Sequence, residues 1–284
     1  MMWTSSASEP APGQPENEDH VFQVGPLVGV LDGATVPAGF ETGCAHGPAW
    51  YARHLAARIG LAAAQRPTGS LAGNLAAGIL AVRADHGDRC DLDHPGTPSA
   101  TVCLLRPTGD RLDYLVLCDS PLVVDRGGPI QVIADDRLAE VMAEVRRQPA
   151  VPVGAAGGPA EIDPVDRFRR SVTAQRRLMN RTPGYWVAAA DPDAAFHALT
   201  GSLPLTGPDR VRRAALLTDG ASRAVDPFGL LDWAGLLDVL TGRGPAELIR
   251  RVRRAERADD DRRVHPRTKR YDDASVILCQ FDGE

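Results

Sequence analysis

Residues 99–105, 112–117, 121–124 and 130–133 are apolar, strand-like runs parted only by short turns such as Arg106-Pro107-Thr108-Gly109-Asp110 and Asp125-Arg126-Gly127-Gly128. Turns this short join antiparallel neighbours, since a parallel return needs a crossover of about a dozen residues or more. The cluster therefore excludes a doubly wound parallel sheet. Before it, two β-branched runs, Val21-Phe22 and Leu27-Val28-Gly29-Val30-Leu31, read as adjacent strands that stop at Asp32-Gly33. A helix pair follows. Residues 43–60 place Ala45, Ala49, Ala52, Leu55, Ala56 and Ile59 at helical spacing, and residues 71–84 begin behind Ser70, a good N-cap. Later strands are expected at 184–190, 214–217 and 275–281, and helices at 227–240 and 245–254, each opened by proline. This order predicts an α+β fold, a four-layer α-β-β-α sandwich of two antiparallel sheets with helix pairs outside.

A chain of 284 residues suffices for one substantial core. The expectation is a single domain over 17–284 behind a disordered lead-in over 1–16, which carries no periodic apolar pattern. Residues 134–184 mix a charged helix, an AAGGPA loop and an Arg-rich helix, and read as an insertion or flap over the sheet. With 32 basic residues against 37 acidic ones, a net of -5, the chain is a poor nucleic-acid binder. No apolar run approaches the roughly 18 residues that cross a bilayer, and the N-terminus lacks the basic-then-apolar pattern of a secretory signal. Cys44, Cys90, Cys103, Cys118 and Cys279 show no C-x-x-C spacing, and three of them lie in apolar runs. Free thiols in a reducing cytoplasm fit that usage.

The chemistry-bearing residues sit at strand ends. Leu31-Asp32-Gly33, Thr218-Asp219-Gly220 and Tyr271-Asp272-Asp273 each put a carboxylate at the edge of an apolar run, and Asn17-Glu18-Asp19 precedes the first strand. Asp-Gly is also a common turn. If these corners share one rim, however, their charges repel unless a cation neutralises them. Ligands that are all oxygen suit a hard divalent cation, magnesium or manganese. The segment 250–270 carries nine arginines and Lys269 against Glu256, Asp259, Asp260 and Asp261. It reads as a solvated face whose last part, Arg267-Thr268-Lys269-Arg270, would draw an anion toward Asp272.

In this order the motifs resemble those of the metal-dependent protein phosphatases of the 2C type, the PPM family, as a divergent bacterial member. Asn17-Glu18-Asp19, Val30-Leu31-Asp32-Gly33, Pro98-Ser99-Ala100-Thr101, Cys118-Asp119-Ser120, Leu217-Thr218-Asp219-Gly220 and Asp272-Asp273-Ala274-Ser275-Val276 carry the resemblance over nearly the whole chain. It implies a phosphomonoester hydrolase, above all a protein serine/threonine phosphatase in signalling, with two Mn2+ or Mg2+ ions. Asp32 would bridge the ions, the Gly33 carbonyl would bind one, and Asp219 and Asp272 would complete the second site. Glu18 would hold a metal-bound water, with Asp19 behind it, and Asp119 would serve a third, weaker ion. A bridging hydroxide would then attack phosphorus in line. The sequence also departs from the family. Its phosphate-binding arginine falls at Gln14, the segment after Gly33 reads Ala34-Thr35-Val36-Pro37-Ala38-Gly39-Phe40-Glu41-Thr42, and the final Asn is Asp273. Arg53, Arg176 and Arg270 are the available replacements for the arginine, and His46, at a helix start, is a candidate phosphate contact or general acid. Two other readings follow from the departures: a catalytically inactive pseudo-phosphatase that binds or regulates, and a phosphatase acting on a small phosphorylated molecule.

Overall fold

The computed structural model describes residues 1–36, 39–147, 170 and 172–282. Among the described residues, ten strands are arranged in two antiparallel sheets. The first runs in the order β1 (Met2–Glu9), β10 (Ala274–Phe281), β9 (Arg213–Leu217), β6 (Leu122–Asp125), β7 (Gln131–Ile133). The second runs β2 (Asp19–Val24), β3 (Leu27–Gly33), β4 (Ala100–Thr108), β5 (Arg111–Leu117), β8 (Leu199–Pro204).

Alternation along the strands builds the layers. On β3, Val28 and Val30 join Cys103, Leu105, Val116, Leu122, Leu216 and Ile277 in a core between the sheets. Leu27 and Leu31 point the other way, onto α1 (Pro48–Gln65) and α2 (Leu71–Asp85). On the opposite side, Leu217, Val276 and Leu278 pack on α5 (Trp233–Arg243) and α6 (Pro245–Ala258). The result is the expected four-layer sandwich. A short helix α3 (Arg137–Arg147) and a single turn α4 (Asp219–Ser222) lie outside these pairs. No helix among the described residues is long and apolar enough to cross a membrane.

Several boundaries differ from expectation. Residues 1–16 do not form a disordered lead-in. Met2–Glu9 pair residue for residue with β10, from Met2 opposite Phe281 to Glu9 opposite Ala274. An edge strand hydrogen-bonds on one side only, so small polar residues serve where a central strand needs apolar ones. The first helix starts at Pro48 rather than residue 43, with Gly47 as its N-cap and proline in its first turn. The helix expected from Pro227 starts at Trp233, where the Asp232 side chain accepts from the Gly235 N–H. Residues 184–190 form only isolated bridges, Ala188 to Ala100 and Tyr185 to Met179. Of the 134–184 insertion, α3 is present and residues 172–176 are helical. The AAGGPA loop lies outside the described residues.

Candidate active site

Asp32 is the next residue after Val28 and Val30 on the inter-sheet face of β3, at the point where the strand runs out. It sits opposite Asp19 on β2 and opposite Thr101 on β4. From the other sheet, β9 ends just before Thr218 and Asp219, and β10 begins just after Asp272 and Asp273. Asp32, Asp119, Asp219 and Asp272 thus line one cavity of about 560 Å³ at a common rim of the two sheets.

The glycines of two acidic corners are there for close approach, not for turning. A Cβ on Gly33 would lie 2.7 Å from the Glu18 carbonyl oxygen, and one on Gly220 would lie 1.8 Å from that of Asp273. The Gly33 N–H donates to that Glu18 oxygen at 3.1 Å. Asp-Gly at these positions is therefore a packing requirement that stacks one corner on the next.

The electrostatics are those of a crowded acidic cluster whose charges are only partly compensated. Burial, then the charges of Asp19 and Asp219, push Asp32 well above the usual carboxylate range. Burial and the neighbouring Asp219 raise Asp119 to about 6. Asp272 rises to about 7 through burial and Asp219, although Lys269 and Arg223 pull it down. Two buried oxygens, Asp19 Oδ1 and Asp219 Oδ1, have no hydrogen-bond partner among the described residues. The other Asp19 oxygen accepts from Thr218 Oγ1 at 2.8 Å. Glu18 adjoins the rim through Thr35 Oγ1, which donates to its carboxylate, and burial raises its pKa. Oxygen donors only, mutually repelling and partly orphaned, fit hard divalent cations. Asp32, Asp119, Asp219 and Asp272 are the lining residues that would hold them, with Glu18 beside the cavity but not on its wall.

Two cations answer this charge. Lys269 Nζ donates to Asp272 Oδ1 at 2.7 Å, and Arg223 donates to Asp272 Oδ2 at 2.7 Å. Burial acts to lower the Lys269 ammonium, but the charges of Asp272, Asp219 and Asp32 outweigh it and hold the proton on. Arg223 also meets Glu256 at 2.7 Å, and Glu256 is bound in turn by Arg253 at 2.7 Å.

The other sequence candidates lie elsewhere. His46, Arg53 and Arg270 are not among the residues lining the cavity. His46 stacks on Trp50 at 3.9 Å and faces Cys44 and Cys90. Arg53 is exposed on α1. Arg270 pairs with Asp260 and lies over the Tyr271 ring. Gln14 is exposed. Arg176 does line the cavity, but its terminal nitrogens donate to the carbonyls of Thr97 at 2.9 Å, Ala34 at 3.1 Å and Pro95 at 3.4 Å. Leu138, Met142, Val172 and Gln175 from the insertion join Arg176 on that wall. Sequence reasoning missed Arg223 altogether. Its signal is a position four residues past Asp219, one helical turn on, which returns it to the same rim.

No family model matches this sequence, and no curated protein matches it. Solved structures do. The serine/threonine phosphatase PstP/Ppp of Mycobacterium tuberculosis is 17% identical, with 99% of both chains covered and a TM-score of 0.58. The catalytic domain of PstP in complex with two manganese ions is 18% identical, with 99% of both chains covered and a TM-score of 0.58. The PPM Ser-Thr phosphatase MsPP of Mycobacterium smegmatis, in complex with cacodylate, is 17% identical, with 99% of this chain and 98% of that one covered and a TM-score of 0.55. Its two five-stranded sheets and flanking helices thus give this chain the fold of the PPM-type serine/threonine phosphatases.

Proposed function

We propose that the chain is a metal-dependent phosphomonoester hydrolase, acting on phosphoserine or phosphothreonine of a protein. One observation carries the reading: Asp32, Asp119, Asp219 and Asp272, brought from separate parts of the chain, line one cavity with an Asp219 oxygen left unpartnered. The two manganese ions of the PstP catalytic domain, which has the same fold, support manganese as the ion. When bound, such ions supply an activated water for in-line attack and neutralise charge on the phosphoryl oxygens. The chain's own part is to hold and orient. Arg223 fixes one oxygen of Asp272, and Thr218 fixes one oxygen of Asp19 behind Asp32. With Gln14 neutral and Arg176 committed to carbonyls, Lys269 is the cation that an incoming phosphate would meet. The described residues from β1 to β10 then form one phosphatase-like domain, with α3 and residues 172–176 beside the cavity, and the reducing cytoplasm is its compartment.

A binding module without catalysis has one observation on its side, the double neutralisation of Asp272 by Lys269 and Arg223. Asp219→Asn separates the readings. It should cut manganese-dependent hydrolysis of an aryl phosphate and a phosphopeptide by on the order of 100-fold or more, with an unchanged melting curve. Wild-type turnover in that variant would remove the mechanism, and manganese uptake without turnover by the unmutated chain would favour the binding module.

A further inference from the structure

A second constellation lies apart from the acidic cavity, between the loop that enters α1 and the loop that leaves α2. Cys44 Sγ and Cys90 Sγ are 3.2 Å apart, and His46 Nδ1 lies 3.5 Å from the first and 3.6 Å from the second. None of the three residues lines the cavity. In a tetrahedral zinc site, bonds of about 2.3 Å to sulfur and 2.0–2.1 Å to nitrogen put sulfur and nitrogen about 3.5 Å apart and two sulfurs about 3.8 Å apart. The sulfur–nitrogen spacings already match, and a small side-chain rotation opens the sulfur pair.

Cys44, His46 and Cys90 are the three whose donor atoms all lie within 4.8 Å of one another, and a fourth group, His86, lies just outside that set, within reach of a side-chain rotation. His86 is 2% exposed, and its Nε2 is buried without a hydrogen-bond partner. Its Nδ1 lies 2.8 Å from the Val82 carbonyl oxygen, an acceptor, so the ring proton belongs on Nδ1 and the lone pair on Nε2. That is how a backbone carbonyl orients an imidazole that ligates a metal. The ring meets that of His46 edge-on, with centroids 5.0 Å apart. His94 is less free, since its Nδ1 already accepts from the Gly96 N–H at 2.9 Å. The backbone ties the two loops at the same place, through the Asp91 N–H to the Gly43 carbonyl at 2.7 Å.

We propose that Cys44, His46, His86 and Cys90 form a structural zinc site that staples the β3–α1 loop to the end of α2. Thiolate and imidazole donors select zinc over the hard cations of the acidic rim. Four protein ligands leave no open position, so the ion is structural. The stapled loop is the one that leaves Asp32-Gly33 and carries Thr35, the hydrogen-bond partner of Glu18.

The test uses the full chain, purified under reducing conditions from zinc-supplemented cells and analysed by elemental mass spectrometry. The expected result is about one zinc per chain, falling below about a tenth in Cys44→Ser and Cys90→Ser and unchanged in Asp219→Asn. Cobalt substituted into the unmutated chain should give the visible bands of a tetrahedral site and thiolate charge transfer in the near ultraviolet, which reads the site even if a cysteine variant fails to fold. His86→Gln should alter that spectrum; an unaltered one would overturn His86 as the fourth ligand. A zinc-free chain, zinc that persists in both cysteine variants, or a Cys44–Cys90 disulfide in place of metal would overturn the site itself.

Discussion

Lys269, the only lysine in the chain, offers a direct measure of how the acidic rim handles cations. Its ammonium lies 2.7 Å from Asp272 Oδ1, with 31% of its side chain exposed. Any divalent ion gathered by Asp32, Asp219 and Asp272 must share those carboxylates with this tethered charge. Two unit charges at about 4 Å interact by about 1 kcal/mol in water and about 4 kcal/mol at an effective dielectric of 20. A divalent ion doubles those figures, whereas the exposure of Lys269 lets it swing outward and keeps the net repulsion near the low end. The worked expectation for Lys269→Met, which keeps the apolar stem, is manganese binding tighter by about 1–2 kcal/mol, roughly 5- to 30-fold in Kd. Calorimetric titration of manganese into both chains at pH 7 and low salt measures it. The gap should narrow at high salt, because the competing charge is partly solvated. Equal or weaker binding by the variant would refute the reasoning, since it would mean that Lys269 does not compete for the carboxylates that bind the ion.

Other expectations follow from the same network. Arg223→Met removes one partner each from Asp272 and the fully buried Glu256; in urea denaturation of the metal-free chain this should cost about 3 kcal/mol, because each acid keeps its second cation. Manganese should restore only part of that loss, since it serves Asp272 and not Glu256. For pH, Asp119 and Asp272 are raised to about 6 and about 7 from an ordinary 3.8. The folded, metal-free chain therefore binds more protons than the unfolded one between about pH 4 and pH 7, and this pair adds stability as pH falls through that window. His20 and His46, lowered chiefly by burial, act in the opposite sense with or without the ion. The contribution is thus read as the difference between metal-free and manganese-loaded melting curves. Acidification from pH 7 to 5 should favour the metal-free chain relative to the loaded one; parallel curves would count against a shared carboxylate site.

What the sequence made legible is what local pattern dictates. The period-two alternation of β3 through Val28, Leu31 and Asp32 assigns both faces at once, and each Asp at a strand end inherits its direction from the strand before it. The strands that escaped notice, β1 and β8, are the outer strands of their sheets. Met2–Glu9 and Leu199–Pro204 carry mainly small, polar or turn-forming residues, which one-sided pairing tolerates. The reverse error, a strand over 184–190, came from a run that is buried but lies against Met179 and Ala100 without a continuous ladder. At the site, the carboxylates could be read, and so could the cationic segment that carries Lys269, which reaches Asp272 from three residues upstream. Arg223 could not, because it reaches Asp272 only where α4 and the segment before β10 meet at the same rim, which is tertiary information.

Asp273 shows how a departure at the site is explained by a distant strand. An asparagine here, as in the phosphatases whose motif this corner resembles, would present one acceptor oxygen and two donors. In this chain both carboxylate oxygens accept backbone N–H groups, that of Ala11 at 2.6 Å and that of Glu18 at 2.6 Å. Ala11 lies two residues past the end of β1, and this stretch is held to α6 as well, through Arg253 and the carbonyls of Glu9 and Pro10 at 3.2 Å each. An asparagine would leave one of the two N–H groups facing an amide donor in a buried corner, at a cost of about 1–3 kcal/mol. The second acid of Asp272-Asp273 adds to the charge that raises Glu18 and Asp19, but it has a structural task of its own. It is the acceptor that docks the N-terminal strand and, through the Glu18 backbone, sets the height at which Glu18 meets the rim. The sequence change and the unexpected first strand are one structural fact seen from two ends.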